Sequence, residues 1–186
     1  MRVVVTGSEC TGKTTLAAAL AKRYDTKFVP EYVRRFVSDK GAAPEYPDVE
    51  AIAHGQIELE ERMAEAATGL LVQDTDLLST VVYSRHYYGN CPLWIDQSLR
   101  ERAADLYLLC GIDVPWVADG DQRDRGDRRE EMQELFRAGL RERELAFLEV
   151  GGSLEERLEI AGRAIVRAYA AAGVPTLRTS GPTSPG

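Results

Sequence analysis

The feature that most constrains this chain is a glycine-framed segment, residues 7–14, which consists of G-S-E-C-T-G-K-T. A β-branched stretch suited to a buried strand precedes it at residues 2–6, and a run of good helix formers follows at residues 13–23. Strand, glycine loop and helix in this order aim backbone N–H groups and a helix N-terminus at one anion. The sequence therefore predicts a P-loop that binds the phosphates of a nucleoside triphosphate.

The residue types in this loop match that task. Gly7 and Gly12 let the backbone wrap a phosphate without Cβ clashes, Lys13 reaches the β- and γ-phosphates and is a catalytic candidate, and the Thr14 hydroxyl holds Mg²⁺. The Cys10 side chain is interpreted as a small filler. The predicted ATP-binding residues of this region are Gly7, Ser8, Glu9, Cys10, Thr11, Gly12, Lys13, Thr14 and Thr15.

The acidic balance of the chain limits its partners. A formal net charge of −7 opposes binding to nucleic acid or to an anionic membrane, because both need a basic surface. No apolar run approaches the roughly 20 residues of a membrane span, and no signal peptide is visible. Three cysteines without metal-ligand spacing favour a reduced, cytoplasmic setting. The expected partner is a small molecule, and no pattern indicates an oligomeric state.

Strand-like and helix-like stretches alternate along almost the whole chain, which predicts an α/β fold. The expected architecture is a three-layer P-loop fold, with a five-stranded parallel sheet, helices on both faces and a lid. Strands are expected near residues 2–6, 26–29, 69–73, 105–109 and 146–150. Helices are expected near residues 13–23, 31–39, 48–67, 76–88, 95–103, 128–142 and 154–172. Residues 1–173 are predicted to form one domain, and residues 174–186 a disordered tail.

The third predicted strand ends in a carboxylate, Asp74. A P-loop protein needs an acid at such a strand end to hold the magnesium shell, so Asp74 is predicted to complete the metal site with Thr14 and to be catalytic. Asp76 begins the following helix. It is interpreted either as a catalytic, substrate-binding acid or as an ordinary N-cap.

The same helix repeats useful side chains on one face. Asp76, Thr80, Tyr83 and Tyr87 follow the spacing i, i+4, i+7 and i+11, which places them on a shared face. Polar groups and two aromatic rings suit a ribose and a flat base. A half-buried packing stripe is the alternative interpretation.

Glu31 comes just after the second strand, at the end where open α/β sheets bind ligands. A carboxylate there can orient a substrate hydroxyl or accept its proton, although a solvated helix start is also compatible. Gln56 interrupts an apolar stripe, and a buried amide must be hydrogen-bonded, either by a polar ligand or by a nearby backbone group. His54 is expected at the surface. The apolar stripe itself consists of Val49, Ile52, Leu59, Met63 and Ala66.

A charged segment, residues 116–129, follows the fourth strand. It is either a solvated loop or the lid of a kinase, whose arginines stabilise charge on the transferred phosphoryl group. Arg123 and Arg128 are the candidates, and Arg123 is also the catalytic one. Gly152, before the last helix, either approaches the adenine ring or simply makes a turn.

These pieces, in this order, resemble the ribosylnicotinamide kinase (nicotinamide riboside kinase) domain of the NadR-type proteins, within the P-loop AAA-like ATPase and kinase families. The resemblance covers about residues 2–170. Besides the phosphate loop, it rests on E-Y-x-R at 31–34, Y-P at 46–47, H-G-Q at 54–56, D-T-D at 74–76 with Thr80, W-V-x-D-G at 116–120 and G-S-x-E-E-R at 152–157.

The resemblance implies a nucleoside/nucleotide-kinase-like fold and a definite reaction. With ATP and Mg²⁺ as cofactors, the chain is expected to phosphorylate nicotinamide riboside at the ribose 5′-hydroxyl, giving nicotinamide mononucleotide for NAD salvage. The E-Y-x-R region and the D-T-D helix are expected to face the riboside. The full set of predicted substrate-binding residues is Glu31, Tyr32, Arg34, Gln56, Asp76, Thr80, Tyr83, Trp116 and Asp119.

Two other functions stay open at this point. The acceptor is alternatively another nucleoside, or a nucleoside monophosphate whose phosphate binds Arg34 and Arg35. A regulatory ATPase switch is an alternative from a different class, although the chain has neither the N-K-x-D nor the D-x-x-G motif of guanine-nucleotide switches. An idle ATP-binding module is disfavoured by the intact set of Lys13, Thr14 and Asp74.

Overall fold

A computed structural model describes residues 1–67, 69–114 and 128–173. Its strands are β1 (Arg2–Thr6), β2 (Lys27–Val29), β3 (Leu71–Asp74), β4 (Leu106–Cys110) and β5 (Phe147–Val150). Its helices are α1 (Lys13–Arg23), α2 (Tyr32–Lys40), α3 (Val49–Glu65), α4 (Leu77–Tyr88), α5 (Leu93–Glu101), α6 (Arg129–Glu142) and α7 (Leu154–Ala171). A short 3₁₀ turn, Tyr46–Asp48, leads into α3.

The five strands form one parallel sheet in the order β2-β3-β1-β4-β5. The predicted five-stranded parallel sheet is thereby confirmed. β1 lies at its centre, and the registers pair Val5 with Asp74 on one side and with Leu108 on the other. Because all the strands run in the same direction, their carboxyl ends meet at one edge, where the loop after β1 is flanked by the ends of β3 and β4.

Two apolar cores cover the two faces of the sheet. Val3 and Val5 point into a core shared with α1 and α7, whereas Val4 points into a core shared with α4, α5 and α6. This alternation follows from the two-residue period of a strand and explains why the three central residues of β1, Val3, Val4 and Val5, are all apolar. The predicted helices on both faces are confirmed, and the capping box of α7 formed by Ser153 and Glu156 closes its N-terminus.

The predicted apolar stripe of α3 is partly wrong. Ala66 is exposed and lies just beyond the helix, and Leu59 and Met63 are only half-buried. The buried face runs instead through the polar side chains Gln56 and Glu60, which are hydrogen-bonded to each other at 3.0 Å. A polar pair that satisfies itself can replace apolar residues inside a fold, and the apolar pattern alone does not reveal it.

Parts of the predicted architecture lie outside the described residues. The lid falls almost wholly in residues 115–127 and the tail in residues 174–186, so both stay predictions. Within the described part of the chain, none of the helices combines the length and apolar character that a bilayer crossing requires.

Candidate active site

The phosphate loop joins β1 to α1 at the centre of the sheet edge. Its backbone needs glycine at two positions, because φ is +132° at Gly7 and +78° at Gly12. A Cβ on Gly7 would also lie 3.1 Å from the backbone oxygen of Cys110, at the end of β4. The loop therefore combines a left-handed backbone with close packing against its neighbouring strand.

The side chain of Lys13 lies over this loop. Its Nζ donates a hydrogen bond of 2.8 Å to the carbonyl oxygen of Ser8, and the Thr11 hydroxyl donates to the same oxygen at 2.8 Å. Lys13 is buried. A buried ammonium group held over this glycine loop is well placed to contact the phosphates of a nucleotide.

The predicted metal ligands, Thr14 and Asp74, lie together. The Thr14 hydroxyl donates to Oδ2 of Asp74 at 2.6 Å, and Oδ1 of Asp74 is buried with no hydrogen-bond partner among the described residues. Burial raises the pKa of Asp74, while the Thr14 hydrogen bond opposes that rise. A carboxylate oxygen left without a donor beside a hydroxyl matches the all-oxygen ligands that Mg²⁺ takes, so these two residues fit a magnesium ion.

Gln133 of α6 braces the loop and was missed by the sequence analysis. Its Nε2 donates to the Cys110 carbonyl oxygen at 2.8 Å, and its Oε1 accepts from the Ser8 N–H at 3.3 Å. The sequence signal that could have identified Gln133 is a glutamine next to the apolar face of α6. That face consists of Met132, Phe136 and Leu140.

Arg157 of α7 is a second residue that braces the loop. In the sequence it stands out only as the last residue of the G-S-x-E-E-R motif. It donates to the carbonyl oxygens of Thr11 at 2.6 Å and Gly152 at 2.9 Å, and it pairs with Asp113. The N–H of Gly152 also donates to Asp113. Since this N–H is already used, the structure favours the turn interpretation of Gly152 over adenine binding.

Arg129, rather than Arg128, contacts the phosphate loop. The Arg129 guanidinium donates to the carbonyl oxygens of Cys10 at 3.1 Å and Val114 at 3.0 Å. Arg128 is exposed and lies 3.8 Å from the Glu131 carboxylate. The other predicted residues of this region, Trp116, Asp119 and Arg123, lie outside the described residues.

A cavity of about 410 Å³ opens beside the phosphate loop, between α2, α3 and α4. Lys13 and Glu9 form its end at the loop, and Val33, Val37 and Ile52 contribute apolar walls from α2 and α3. Its size fits a small organic molecule. The cavity therefore lies where a phosphate acceptor would meet a nucleotide held by the loop.

The helical spacing predicts that four side chains at the start and along one face of α4 lie on the same side, and the structure agrees. Asp76, Thr80, Tyr83 and Tyr87 all line the cavity. The Tyr83 and Tyr87 rings are nearly parallel, at 7°, with centroids 5.9 Å apart, and Tyr83 also packs its ring against the edge of Phe136 at 5.6 Å. The two rings are therefore stacked on each other where they line the cavity.

Asp76 is an N-cap as well as a cavity residue. Its Oδ1 accepts from the Leu78 N–H at 2.9 Å, and its Oδ2 accepts from the Tyr107 hydroxyl at 2.7 Å. Burial raises the pKa of Asp76 to about 6. The N-cap interpretation is confirmed, and because both oxygens already accept hydrogen bonds, Asp76 is poorly placed to be the base.

Glu31 lines the cavity from the start of α2. It occupies the N-cap position without capping the helix through its own side chain, and Arg34 Nε donates to its Oε2 at 3.1 Å. Tyr32 does not line the cavity. Its ring packs on Gly55, where a Cβ would lie 2.1 Å from Tyr32 Cε1. The structure thus places Tyr32 as the contact between the E-Y-x-R and H-G-Q motifs.

Gln56 is satisfied mainly by the protein itself. Its Oε1 accepts from the Tyr32 backbone N–H at 2.9 Å, and its Nε2 donates to Glu60 at 3.0 Å. It also borders the cavity. The sequence left a polar ligand and a nearby backbone group open as partners of Gln56. The structure contains the backbone partner, the Tyr32 N–H.

A central P-loop after β1, an acid at the end of β3, a 2-3-1-4-5 parallel sheet and an acceptor-sized cavity define a P-loop protein with the nucleoside- and nucleotide-kinase fold. The chain belongs to the AAA domain family, which matches residues 2–157.

Two similar proteins are named for their role in NAD biosynthesis. The trifunctional NAD biosynthesis/regulator protein NadR of Escherichia coli K12 is 32% identical over 154 residues, which cover 80% of this chain. Its counterpart from Salmonella typhimurium is 31% identical over the same length. The match spans 37% of the length of each relative. The family resemblance expected from the sequence motifs is confirmed.

Solved structures show the same fold. NadR in complex with NAD and AMP-PNP superposes with a TM-score of 0.77 at 24% identity, over 96% of this chain and 51% of that one. NadR in complex with NR gives 0.75 at 25% identity, over 96% and 53%. Thymidylate kinase from Ehrlichia chaffeensis gives 0.64 at 12% identity, over 89% and 98%. The predicted kinase-like fold is confirmed.

Proposed function

We propose that this chain is an ATP-dependent kinase that phosphorylates nicotinamide riboside at the ribose 5′-hydroxyl. The observation that supports the proposal is a single cavity lined by Lys13 of the phosphate loop, by Glu31 and by the stacked Tyr83–Tyr87 pair. The similarity to NadR, which has been solved with NR and with AMP-PNP, supports the same pair of ligands.

On the nucleotide side, the loop N–H groups and Lys13 hold the β- and γ-phosphates of ATP. Thr14 and Asp74 hold Mg²⁺, which neutralises charge on the phosphates when it is bound. Gln133 and Arg157 keep the loop in this shape, because they bond to Ser8 and Thr11. Phosphoryl transfer depends on such positioning more than on covalent chemistry.

On the acceptor side, Glu31 orients the 5′-hydroxyl and accepts its proton. The hydroxyl oxygen forms a bond to the γ-phosphorus, the bond from that phosphorus to the bridging oxygen of ADP breaks, and Lys13 stabilises the charge that moves onto ADP. Asp76, whose oxygens already accept from Leu78 and Tyr107, contributes a fixed negative charge to the cavity rather than a base.

The cavity also suits a cationic base. The nicotinamide ring of the riboside carries a positive charge, and a cation is attracted to the face of a tyrosine ring. Tyr83 and Tyr87 supply such faces, while Glu31 and Asp76 supply negative charge. An uncharged pyrimidine or purine nucleoside would gain less from this arrangement.

A nucleoside is favoured over a nucleoside monophosphate as the acceptor. Among the described residues that line the cavity, the basic ones are Lys13 and Arg34. Arg34 is paired with Glu31 at 3.1 Å. Arg35 lies outside the cavity lining, 3.5 Å from Asp39, with 71% of its side chain exposed. A second phosphate-binding cluster is therefore missing from this part of the wall.

The test is ATP consumption with Mg²⁺ and a panel of nicotinamide riboside, uridine, thymidine, adenosine and their monophosphates. We expect turnover with nicotinamide riboside, formation of the mononucleotide, and loss of both in K13A. Turnover of another acceptor would retain the kinase mechanism and replace the substrate. ATP hydrolysis that ignores every acceptor would instead support the regulatory switch.

We also infer that the protein works in the cytoplasm. The buried side chains of Cys91 and Cys110 are free thiols in the described part of the chain, as expected for a protein kept in a reducing compartment.

A further inference from the structure

The N-terminus of α2 is capped by another helix. The first N–H groups of a helix lack partners within the helix and need acceptors from outside it. Glu31 occupies the N-cap position, yet its own side chain makes no capping hydrogen bond. The Tyr32 N–H donates instead to Oε1 of Gln56, on α3, at 2.9 Å. Glu31 is thereby left facing the cavity.

Glu60, one turn further along α3, fixes the orientation of the Gln56 amide. Gln56 Nε2 donates to Oε1 of Glu60 at 3.0 Å. The Tyr32 N–H can only donate, so the oxygen of Gln56 must face Tyr32, and the NH₂ group of Gln56 then needs the acceptor oxygen that Glu60 supplies. Without this acceptor the amide could rotate by half a turn and present a donor to the Tyr32 N–H.

The burial of Glu60 calls for an explanation. Only 4% of the residue is exposed, and removing a carboxylate from water is costly unless its environment compensates. Its nearest cation is Arg102, at 3.8 Å, and Arg102 makes its shorter contact, 2.7 Å, with the exposed Glu61. The ion pair is therefore too long to account for the position of Glu60, whereas the Gln56 hydrogen bond has good geometry.

We propose that Glu60 is a positioning residue for phosphoryl transfer. Through Gln56 it holds the first turn of α2, and so keeps the Glu31 carboxylate aimed at the acceptor hydroxyl. Glu60 itself is not among the residues that line the cavity. This inference rests on the proposed kinase function for its kinetic consequence, but the hydrogen-bond relay from Glu60 to Tyr32 can be measured without any turnover.

The kinetic test is a double-mutant cycle on E60L and Q56L, with E60Q as the conservative variant. We expect E60L to lower kcat about tenfold or more with KM for ATP within about twofold, because a small misplacement of a catalytic group is costly. E60Q keeps an acceptor oxygen and should recover most of kcat. In the Q56L background, E60L should add less than about twofold, since the relay is already broken.

E61Q is the matched control. Glu61 is the neighbouring carboxylate and shares Arg102 with Glu60, but it is exposed and pairs with that arginine at 2.7 Å. We expect its kcat to equal that of the wild type. Equal effects of E60L with and without Gln56, or an E60L enzyme with unchanged kcat, would overturn the proposal. If E60L does not fold, the kcat of E60Q is the deciding measurement. A tenfold loss of kcat in that folded variant would also overturn the proposal.

Hydrogen exchange of the Tyr32 amide separates this proposal from the proposed function. In E60L the exchange should be about tenfold faster or more than in the wild type, whereas E60Q and E61Q should match the wild type. Unchanged Tyr32 protection in E60L would overturn the relay. If the wild type turned over no nucleoside at all, the kinase proposal would fail, and the exchange rates would still decide whether Glu60 holds α2.

Discussion

At the scale of single residues, Gly7 is required for two separable reasons. Its φ of +132° strains any other residue, and a Cβ would lie 3.1 Å from the Cys110 carbonyl oxygen. We expect G7A to lose roughly 2–4 kcal/mol of unfolding free energy and most ATP affinity. G41A is the matched control, because Gly41 has φ +69° but open space around it. Thermal denaturation of both variants should show the larger loss in G7A, and equal losses would mean that the Cys110 contact is unimportant.

Asp74, as a proposed metal ligand, is expected to be unfavourable for stability and needed for function. Burial raises its pKa, so its charged form is disfavoured in the folded protein. D74N should therefore melt at the same temperature as the wild type or higher when no nucleotide is added. Its kcat should fall by about 100-fold or more, and the Mg²⁺ concentration for half-maximal rate should rise. If D74N showed the same magnesium dependence as the wild type, Asp74 would not be a metal ligand.

Glu60 should make stability depend on pH. Burial, with the nearby Asp76 charge adding to it, raises the pKa of Glu60 from 4.5 to about 7, while Gln56, Arg102 and Arg2 oppose the rise. Tyr107 also lies near Glu60, because its hydroxyl donates a hydrogen bond to Asp76. Between pH 4.5 and 7 the folded state binds more protons at Glu60 than the unfolded state, so the contribution of Glu60 falls as pH rises through this range.

The loss of unfolding free energy that accompanies ionisation of Glu60 is large enough to measure. A shift of 4.5 to about 7 corresponds to at most roughly 3 kcal/mol. Urea denaturation at pH 5 and pH 8 should show that E60Q gains stability relative to the wild type as pH rises. The exposed-site variant E61Q should show no such trend. A constant difference between E60Q and the wild type at both pH values would rule out a titrating Glu60.

At the scale of elements, the sequence predicts what depends on local periodicity and short motifs. β1, the phosphate loop and α1 follow from residues 2–23, and the cavity face of α4 follows from helical spacing. The braces Gln133 and Arg157 do not, because they contact Ser8 and Thr11 more than 120 residues away along the chain. Only the parallel register of β1 with β4, and of β4 with β5, brings those helices to the loop.

Arg157 is the element-scale contact that is easiest to test. It ties α7 to the phosphate loop and to the ends of β4 and β5, through Thr11, Gly111 and Gly152. R157M should lose roughly 3–5 kcal/mol, since it leaves three carbonyl oxygens, those of Thr11, Gly111 and Gly152, without the Arg157 donor. It should also raise KM for ATP. Arg163 lies on the same helix with an exposed side chain, so R163M should stay within about 0.5 kcal/mol of the wild type. Similar denaturation curves for the two variants would contradict this bracing role.

At the scale of the whole molecule, the phosphate loop separates two functional halves. The helices α2, α3 and α4, which follow β2 and β3 along the chain, surround the cavity that we propose for the acceptor. The strands β4 and β5, with α6 and α7, carry the residues that brace the loop. This division follows from the sheet order, since β1 lies between the two pairs of strands. Nucleotide and acceptor should accordingly bind to parts of the molecule that single substitutions can separate.

Ligand-induced stabilisation tests this separation. AMP-PNP with Mg²⁺ and nicotinamide riboside should each raise the melting temperature, because a ligand at 100 times its Kd adds about 2.7 kcal/mol to the folded state. K13A should lose the AMP-PNP shift and keep most of the riboside shift, whereas E31Q should do the reverse. Lys13 borders the cavity as well as the loop, so a small loss of the riboside shift in K13A is expected. If both variants lost both shifts equally, the two ligands would share one site, and the acceptor cavity would have to lie elsewhere.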